Sequence, residues 1–204
     1  MANNQAEVIS GRDFIVYTTP WNVNVIAPLD TVLYGTEWGT PIGMTAPWTQ
    51  AGYTDGGVTV GIEVTRGEIR VDQELEPILR PATGRNTTFG TTLAQFTPAN
   101  MKNAAGQGTI TTVAPASGTR GHVDLDISST IADNYIAAGL DFLHPGDSQP
   151  FRVFVWKALV QGNVSAVFNP TDKAVIPFSL NAFPDTSVVP ARIMKFRDVT
   201  APLP

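Results

Sequence analysis

The chain contains no cysteine. Disulfide bonds and thiolate metal sites are therefore excluded, and the fold must rest on packing and hydrogen bonds, which suits assembly in a reducing cytoplasm. Histidine is nearly as scarce: there are only His122 and His144, and neither has a second histidine or a cysteine at metal-ligand spacing. Charge is thin as well. Asp, Glu, Lys and Arg make up 15% of the residues, against roughly 25% in ordinary soluble domains. A surface so poor in charge is weakly protected against association, so much of it is expected to lie under partners; the alternative is a β-protein whose outer faces carry neutral Thr, Asn and Gln. The formal net charge of −5 argues against tight nucleic-acid binding, which draws its affinity from basic groups on phosphates. No apolar run approaches the roughly 18 residues of a membrane span. The first residues, MANNQAEVISGRDF, carry neither a basic n-region nor an apolar h-region, so no signal peptide is expected. The sequons Asn86-Thr87-Thr88 and Asn163-Val164-Ser165 are then chance matches.

What is present is β pattern and punctuation. The 204 residues fit one domain with a sizeable core, flanked by an N-terminal arm over 1–20 and a C-terminal arm over 186–204. Phe14 to Tyr17 forms a short strand at the end of the first arm, and Asn22 to Ala27 alternates up to Pro28. In Val58-Thr59-Val60-Gly61-Ile62-Glu63-Val64-Thr65 every second residue is apolar, the period of a half-buried strand. Asp55-Gly56-Gly57 before it reads as a turn. Ile69 to Asp72 alternates in the opposite parity, so a turn or bulge is expected at Arg66-Gly67. Phe89, Thr91 and Leu93 share one face of a strand over Thr87–Gln95. Val123, Leu125 and Ile127 share a face of another.

Residues 130–143 fit either a helix or a strand. Phe151 to Val160 is apolar at both parities, as expected of a central strand buried on both sides. Val164 to Phe168 is expected to pair back on it, Ile176, Phe178, Leu180 and Ala182 to line a further strand, and Ile193 to Phe196 to make a last one. Nine to eleven short strands predict an antiparallel β-sandwich or barrel. The single helix is expected at Pro98–Ala105, with Thr97 as N-cap, Pro98 at the first helical position and Gly106 as a left-handed C-cap.

No pattern carries chemistry. Asp124 and Asp126 share a strand face, as do Glu74 and Glu76 in an extended segment. Such pairs can act as acid and base, but β alternation generates them without a site. There is no nucleophile elbow, phosphate cradle or zinc-protease motif. Arg66, Arg70, Arg80 and Arg85 are read as solvated groups or intersubunit ion-pair partners rather than a positive strip. No enzyme activity, metal or cofactor is expected. From Leu33 to Tyr53 the chain is broken by Gly35, Gly39, Pro41, Gly43, Pro47 and Gly52 and yet carries Trp38, Ile42, Met44, Trp48 and Tyr53. A broken segment with apolar side chains is best explained if it orders on binding.

The order of these features resembles the tail tube (major tail) proteins of long-tailed, siphovirus-type bacteriophages. Trp48-Thr49-Gln50-Ala51-Gly52-Tyr53-Thr54-Asp55-Gly56-Gly57-Val58 looks like the hairpin entry of that family. Glu68 to Gln73 and Thr88 to Gln95 resemble two of its strands, Thr97 to Ala104 its one helix, and Lys173 to Ala182 its closing strand. The likeness spans roughly residues 28–185; the family often has glutamate where this chain has Gln95. The resemblance implies a mainly β sandwich with one helix, forming hexameric rings stacked into the hollow tail tube through which DNA is ejected. It implies a virion protein assembled in the bacterial host cytoplasm, with tape measure, tail terminator and baseplate proteins as further partners, DNA passing without tight binding, and no membrane. Trp38, Pro41, Ile42, Met44, Trp48 and Tyr53 are then the expected ring-contact residues. Two other readings remain: another virion β-protein such as a head decoration or tail terminator subunit, and a carbohydrate-binding or adhesin module using its aromatics.

Overall fold

The computed structural model describes residues 14–21, 48–130, 133–143, 150–161, 164–165, 168 and 173–198. The chain is a mainly β, antiparallel fold with one short helix among the described residues. Its strands are β1 (Phe14–Pro20), β2 (Thr49–Gln50), β3 (Thr54–Arg66), β4 (Ala82–Leu93), β5 (Thr109–Val113), β6 (His122–Asp126), β7 (Ile136–Leu143), β8 (Pro150–Val160), β9 (Ile176–Ala182) and β10 (Met194–Asp198); α1 is Pro98–Ala105. The main sheet runs β2-β1-β7-β8-β9-β4-β3, with β10 on β8, and β5 and β6 form a separate two-stranded sheet. Both terminal arms thus give a strand to the main sheet, β1 between β2 and β7, and β10 beside β8. Within the ambiguous segment 130–143, Ile136–Leu143 is strand β7. The expected strand at Asn22–Ala27 lies outside the described residues, as do Ala166 and Val167, whereas Val164, Ser165 and Phe168 of the expected pairing strand are described and belong to no strand.

The sheet cannot be flat. Its two end strands, β2 and β3, are joined by only Ala51, Gly52 and Tyr53. Such a link spans at most about 14 Å, whereas seven flat strands would hold their ends about 29 Å apart. The sheet must curl until its ends meet. The link is fixed by hydrogen bonds: the Ala51 N–H donates to the Val16 carbonyl at 2.8 Å, and the Ala94 N–H donates to the Tyr53 carbonyl at 2.8 Å. Gly52 has φ +81°, and a Cβ there would lie 1.8 Å from the Gln95 side chain, so both backbone and space require glycine.

Inside the curl lies one core, with Val16 from β1, Phe89 and Leu93 from β4, Leu140 from β7, Val153 and Val155 from β8, and Ile176, Phe178 and Leu180 from β9. Strand β8 is its hub. Phe151 to Val155 pair with β10, whereas Ala158 to Val160 pair with β9. Between them the register against β7 slips, Ile136 facing Ala158 but Ala138 facing Val155. The extra residue shifts the parity, so Val153, Val155 and Ala158 all join the same core. Phe154 and Trp156 face the other way, into a second cluster with Tyr17, Trp48 and Ala137. The expectation of a strand buried on both sides is met here. On that second face, Arg152 pairs with Asp141 of β7 through two hydrogen bonds, one at 2.6 Å to Oδ2. Burial pushes the Asp141 carboxyl up, while the Arg152 guanidinium opposes that push. Burial first, and Asp141 second, raise the Tyr17 hydroxyl to about 12.

The helix forms as its caps dictate. Thr97 accepts a hydrogen bond from the Asn100 N–H, Pro98 opens the first turn, and Gly106 closes the last at φ 67°. Two turns are marginal in isolation, and α1 is held by its buried Ala104 and by Asn100. The Asn100 amide is buried and donates to the carbonyls of Ala51 and Gln95, both at 2.9 Å. It ties the helix to the link that closes the sheet. Asn100→Ala leaves both carbonyls without that donor, at a cost of about 2–3 kcal/mol, which lowers the melting temperature by on the order of 5–10 °C for a chain this size. Asn100→Asp should be no better, because a carboxylate only accepts. Thermal unfolding of both variants checks this.

A second tie is Asp185, 1% exposed, which accepts from the Ser187 hydroxyl at 2.6 Å, the Ser187 N–H at 3.2 Å and Arg192 Nε at 3.0 Å. Burial alone would raise its carboxyl, but the hydrogen bonds from Ser187 and Arg192 outweigh burial and hold it low. A lowered folded-state value means stability that is fully present above the ordinary carboxylate value near about 4 and is lost as the pH falls from there through the lower folded-state value. The melting-temperature gap between wild type and Asp185→Asn should therefore be widest near neutral pH and narrow below about pH 4. A gap that does not change with pH would show that the charge contributes nothing.

Candidate assembly surface

The long hairpin of β3 and β4 leaves the body of the protein. Strand β4 pairs with β9 from Thr88 to Leu93; farther out, Arg85, Asn86 and Thr87 have, among the described residues, only their β3 partners Val64, Glu63 and Ile62. The expected turn at Asp55-Gly56-Gly57 is instead a bulge within β3, with a register shift between Asp55 and Val58. Gly56 and Gly57 sit at φ 77° and 87°, a conformation that favours glycine, and the Thr91 hydroxyl donates to the Gly57 carbonyl at 2.8 Å. A turn would have ended the strand; the bulge bends it and lets one strand run from the closed sheet out into the arm. The second irregularity, expected at Arg66-Gly67, is present as a register shift between Thr65 and Arg66. Beyond it the expected strand Ile69–Asp72 reduces to a single bridge, Ile69 to Leu79. Pro77 and Pro81 lack the N–H groups a longer ladder needs.

Along this arm Ile62, Val64, Ile69, Val71, Leu75, Ile78 and Leu79 are all exposed, Leu75 at 95%. Isolated two-stranded ribbons are marginal in water, and this extended apolar surface is the candidate docking surface of the molecule. The polar groups of the arm satisfy one another. Glu68 bridges Arg70 at 2.9 Å and Arg80 at 3.0 Å, and Arg66 donates to the Arg80 carbonyl at 3.4 Å. Three of the four clustered arginines are thus engaged within their own subunit, in exposed contacts that stabilise by at most about 1 kcal/mol each.

The expected ring-contact residues divide. Trp38, Pro41, Ile42 and Met44 lie outside the described residues. Tyr53 is 77% exposed and available to a neighbour. Trp48 is 8% exposed and packs with Tyr17, Phe154 and Trp156 inside its own subunit, so its indole is a core group and not a contact surface. The reason is the closure link: Trp48 directly precedes β2, which pairs with β1, and its side chain is carried onto the second face. The exposed apolar residues of the arm replace it as the candidate contact. Their sequence signal is the alternation over Val58–Val64 and, in the opposite parity, over Ile69–Val71, but alternation does not say whether the apolar parity meets a core.

The other candidates assemble no site. Asp124 lies 3.4 Å from His122 on an exposed strand, Glu74 and Glu76 are exposed on the arm, and no group of three His, Cys, Asp or Glu that could hold a metal occurs among the described residues. His144 lies outside them. A cavity of about 400 Å³ is lined by Pro20, Trp21, Asn103, Asn134, Tyr135 and neighbouring residues. The Lys157 ammonium sits 4.4 Å and 4.2 Å from the ring centres of Trp21 and Tyr135, so one face of each ring already has a cation against it.

Trp48→Ala should act on the isolated subunit. Removing an indole from a packed cluster costs about 3–5 kcal/mol, which lowers the melting temperature by on the order of 10 °C. Thermal unfolding at a dilution where only monomer is present measures it; an unchanged melting temperature would return Trp48 to the contact surface.

Neither a protein-family model nor a curated protein sequence matches the chain. Among solved structures, the chain is similar to one in the cryo-electron-microscopy structure of the anti-feeding prophage baseplate, symmetrised sixfold, at 11% identity and a TM-score of 0.46, with 98% of this chain and 100% of that chain covered.

Proposed function

We propose that this protein is a structural subunit of a phage-type virion that polymerises with its own copies, as hexameric rings stacked into a hollow tail tube. The observation that carries the reading is the β3–β4 arm, a ribbon with a chain of exposed apolar side chains and no covering element among the described residues. Covering such side chains contributes about 1–2 kcal/mol each, on the order of 10 kcal/mol for the arm before the costs of association. A monomer gains nothing from such an arm, whereas an assembled subunit does. The order of motifs resembling the tail tube family supports the same reading, as does the net charge of −5, which leaves a DNA conduit without strong phosphate affinity. On this reading the chain has no catalytic role. Its location is the virion tail after assembly in the bacterial cytoplasm, and tape measure, tail terminator and baseplate proteins are its further partners.

The test is negative-stain microscopy and size-exclusion chromatography of purified protein, alongside a variant in which residues 68–79 are replaced by a short Asn-Gly turn. The wild type should form rings that stack into tubes at high concentration. The shortened variant should keep a melting temperature close to wild type, because the arm holds little of the core, and should stop at monomers or unstacked rings. A wild type that stays monomeric at every concentration overturns the reading. Trimers, or single rings that never extend, favour a head decoration or tail terminator subunit.

A further inference from the structure

Two aromatic rings stand side by side on the wall of the cavity beside the end of β1. The Trp21 N–H donates to the Tyr135 carbonyl at 2.9 Å, one step beyond the last β1–β7 pair, Pro20 with Ile136. The rings meet edge to face at 6.1 Å between centres, and Phe183 meets Tyr135 at 5.9 Å. The Lys157 ammonium holds both rings from outside the cavity lining. The wall is thus fixed before any ligand arrives, which lowers the cost of binding. The volume of about 400 Å³ falls within the range of about 300–1,000 Å³ typical of small-molecule sites. The polar lining includes Lys102, Asn103, Asp133 and Asn134. The Asn134 amide donates to the Gly106 carbonyl and the Asn103 amide to the Thr18 hydroxyl, both at 2.9 Å. These bonds orient both amides through their N–H groups. No described group donates to their carbonyl oxygens, which remain as acceptors for a ligand.

We infer that this cavity binds one pyranose ring of a neutral saccharide. Charge selects the class of ligand. A cation would meet Lys102 in the lining and Lys157 behind the rings. An anion would meet Asp133 and the C-terminal end of α1, which carries the negative end of the helix dipole. A neutral ligand avoids both conflicts. It must still donate to the Asn103 and Asn134 oxygens, accept from Lys102 and lay an apolar face on Trp21 and Tyr135. A pyranose does all three: its hydroxyls donate and accept around the rim, and its C–H face covers an aromatic ring. The inference is independent of the self-assembly reading, and adds a ligand to a chain with no catalytic role assigned.

Saturation-transfer NMR on the full-length chain tests this, because it reads the protons of small probes whether the chain is monomeric or assembled. The probes are glucose, galactose, N-acetylglucosamine and their methyl glycosides, with sorbitol and choline as controls. At least one ring sugar should be saturated, with a dissociation constant on the order of 1 mM, as expected of so small a ligand. Sorbitol, which has no ring face, and the cation choline should not be. Lys102→Ala removes one charge-assisted hydrogen bond and should weaken binding about tenfold. Trp21→Ala removes the wall and should abolish binding, whereas Leu75→Ala at the arm tip should change nothing. If Trp21→Ala proves unstable on heating, Lys102→Ala decides alone. Ring sugars that show no saturation at about 10 mM, ten times the expected constant, overturn the inference. So do sugars that bind Lys102→Ala as well as wild type, or choline or sorbitol binding as tightly as the sugars. None of these outcomes touches the formation of rings or tubes, which is read separately.

Discussion

The three-residue link between β2 and β3 is the constraint on which the architecture depends. Because Ala51, Gly52 and Tyr53 join the two ends of the sheet path, the sheet has to curl, and curling gives it an inside. Everything that fixes the link also fixes the fold: the positive φ of Gly52, the bond from Ala51 to Val16 and the Asn100 amide that reaches the link from the helix. The helix α1 is short and individually marginal, yet it supplies the one side chain that binds both the Ala51 carbonyl at the closure and the Gln95 carbonyl before its own cap.

Closure also explains why β8 can be apolar on both sides. One parity fills the interior, and the bulge near Trp156 lets the strand change neighbours from β10 to β9 without turning that parity outward. The other parity needs a separate cover, which Trp48 and Tyr17 help to provide. The buried Asp141–Arg152 pair sits at the edge of that second layer. Two charges taken from water are tolerated there because the fork of the guanidinium meets both carboxylate oxygens.

The same closure frees the hairpin. Once β3 has met the rest of the sheet near its start, its remaining length has no strand partner but β4 among the described residues, and the bulge at Gly56-Gly57 directs both strands outward. The apolar alternation that serves the core near Val58 and Val60 continues past Ile62 into solvent. A hydrophobic pattern thus extends beyond its own core, which is the observation on which the proposed assembly role rests.

The sequence by itself determined the local elements. The caps of α1, the parities of β4 and β9, the two-sided burial of β8 and the mainly β class all follow from residue spacing and backbone chemistry acting over a few positions. Strand β5 escaped notice, because Thr109 to Val113 is short, follows Gly108 and runs into Ala114-Pro115, and its partner β6 is needed to define it. What only the tertiary structure decided is which apolar residues face a core. Trp48 and Leu75 are both large apolar side chains in polar, turn-rich stretches. One is buried because the closure link brings it against Tyr17 and Trp156, and the other is exposed because its hairpin leaves the sheet. Burial depends on contacts between residues far apart in the chain, and no local spacing records them.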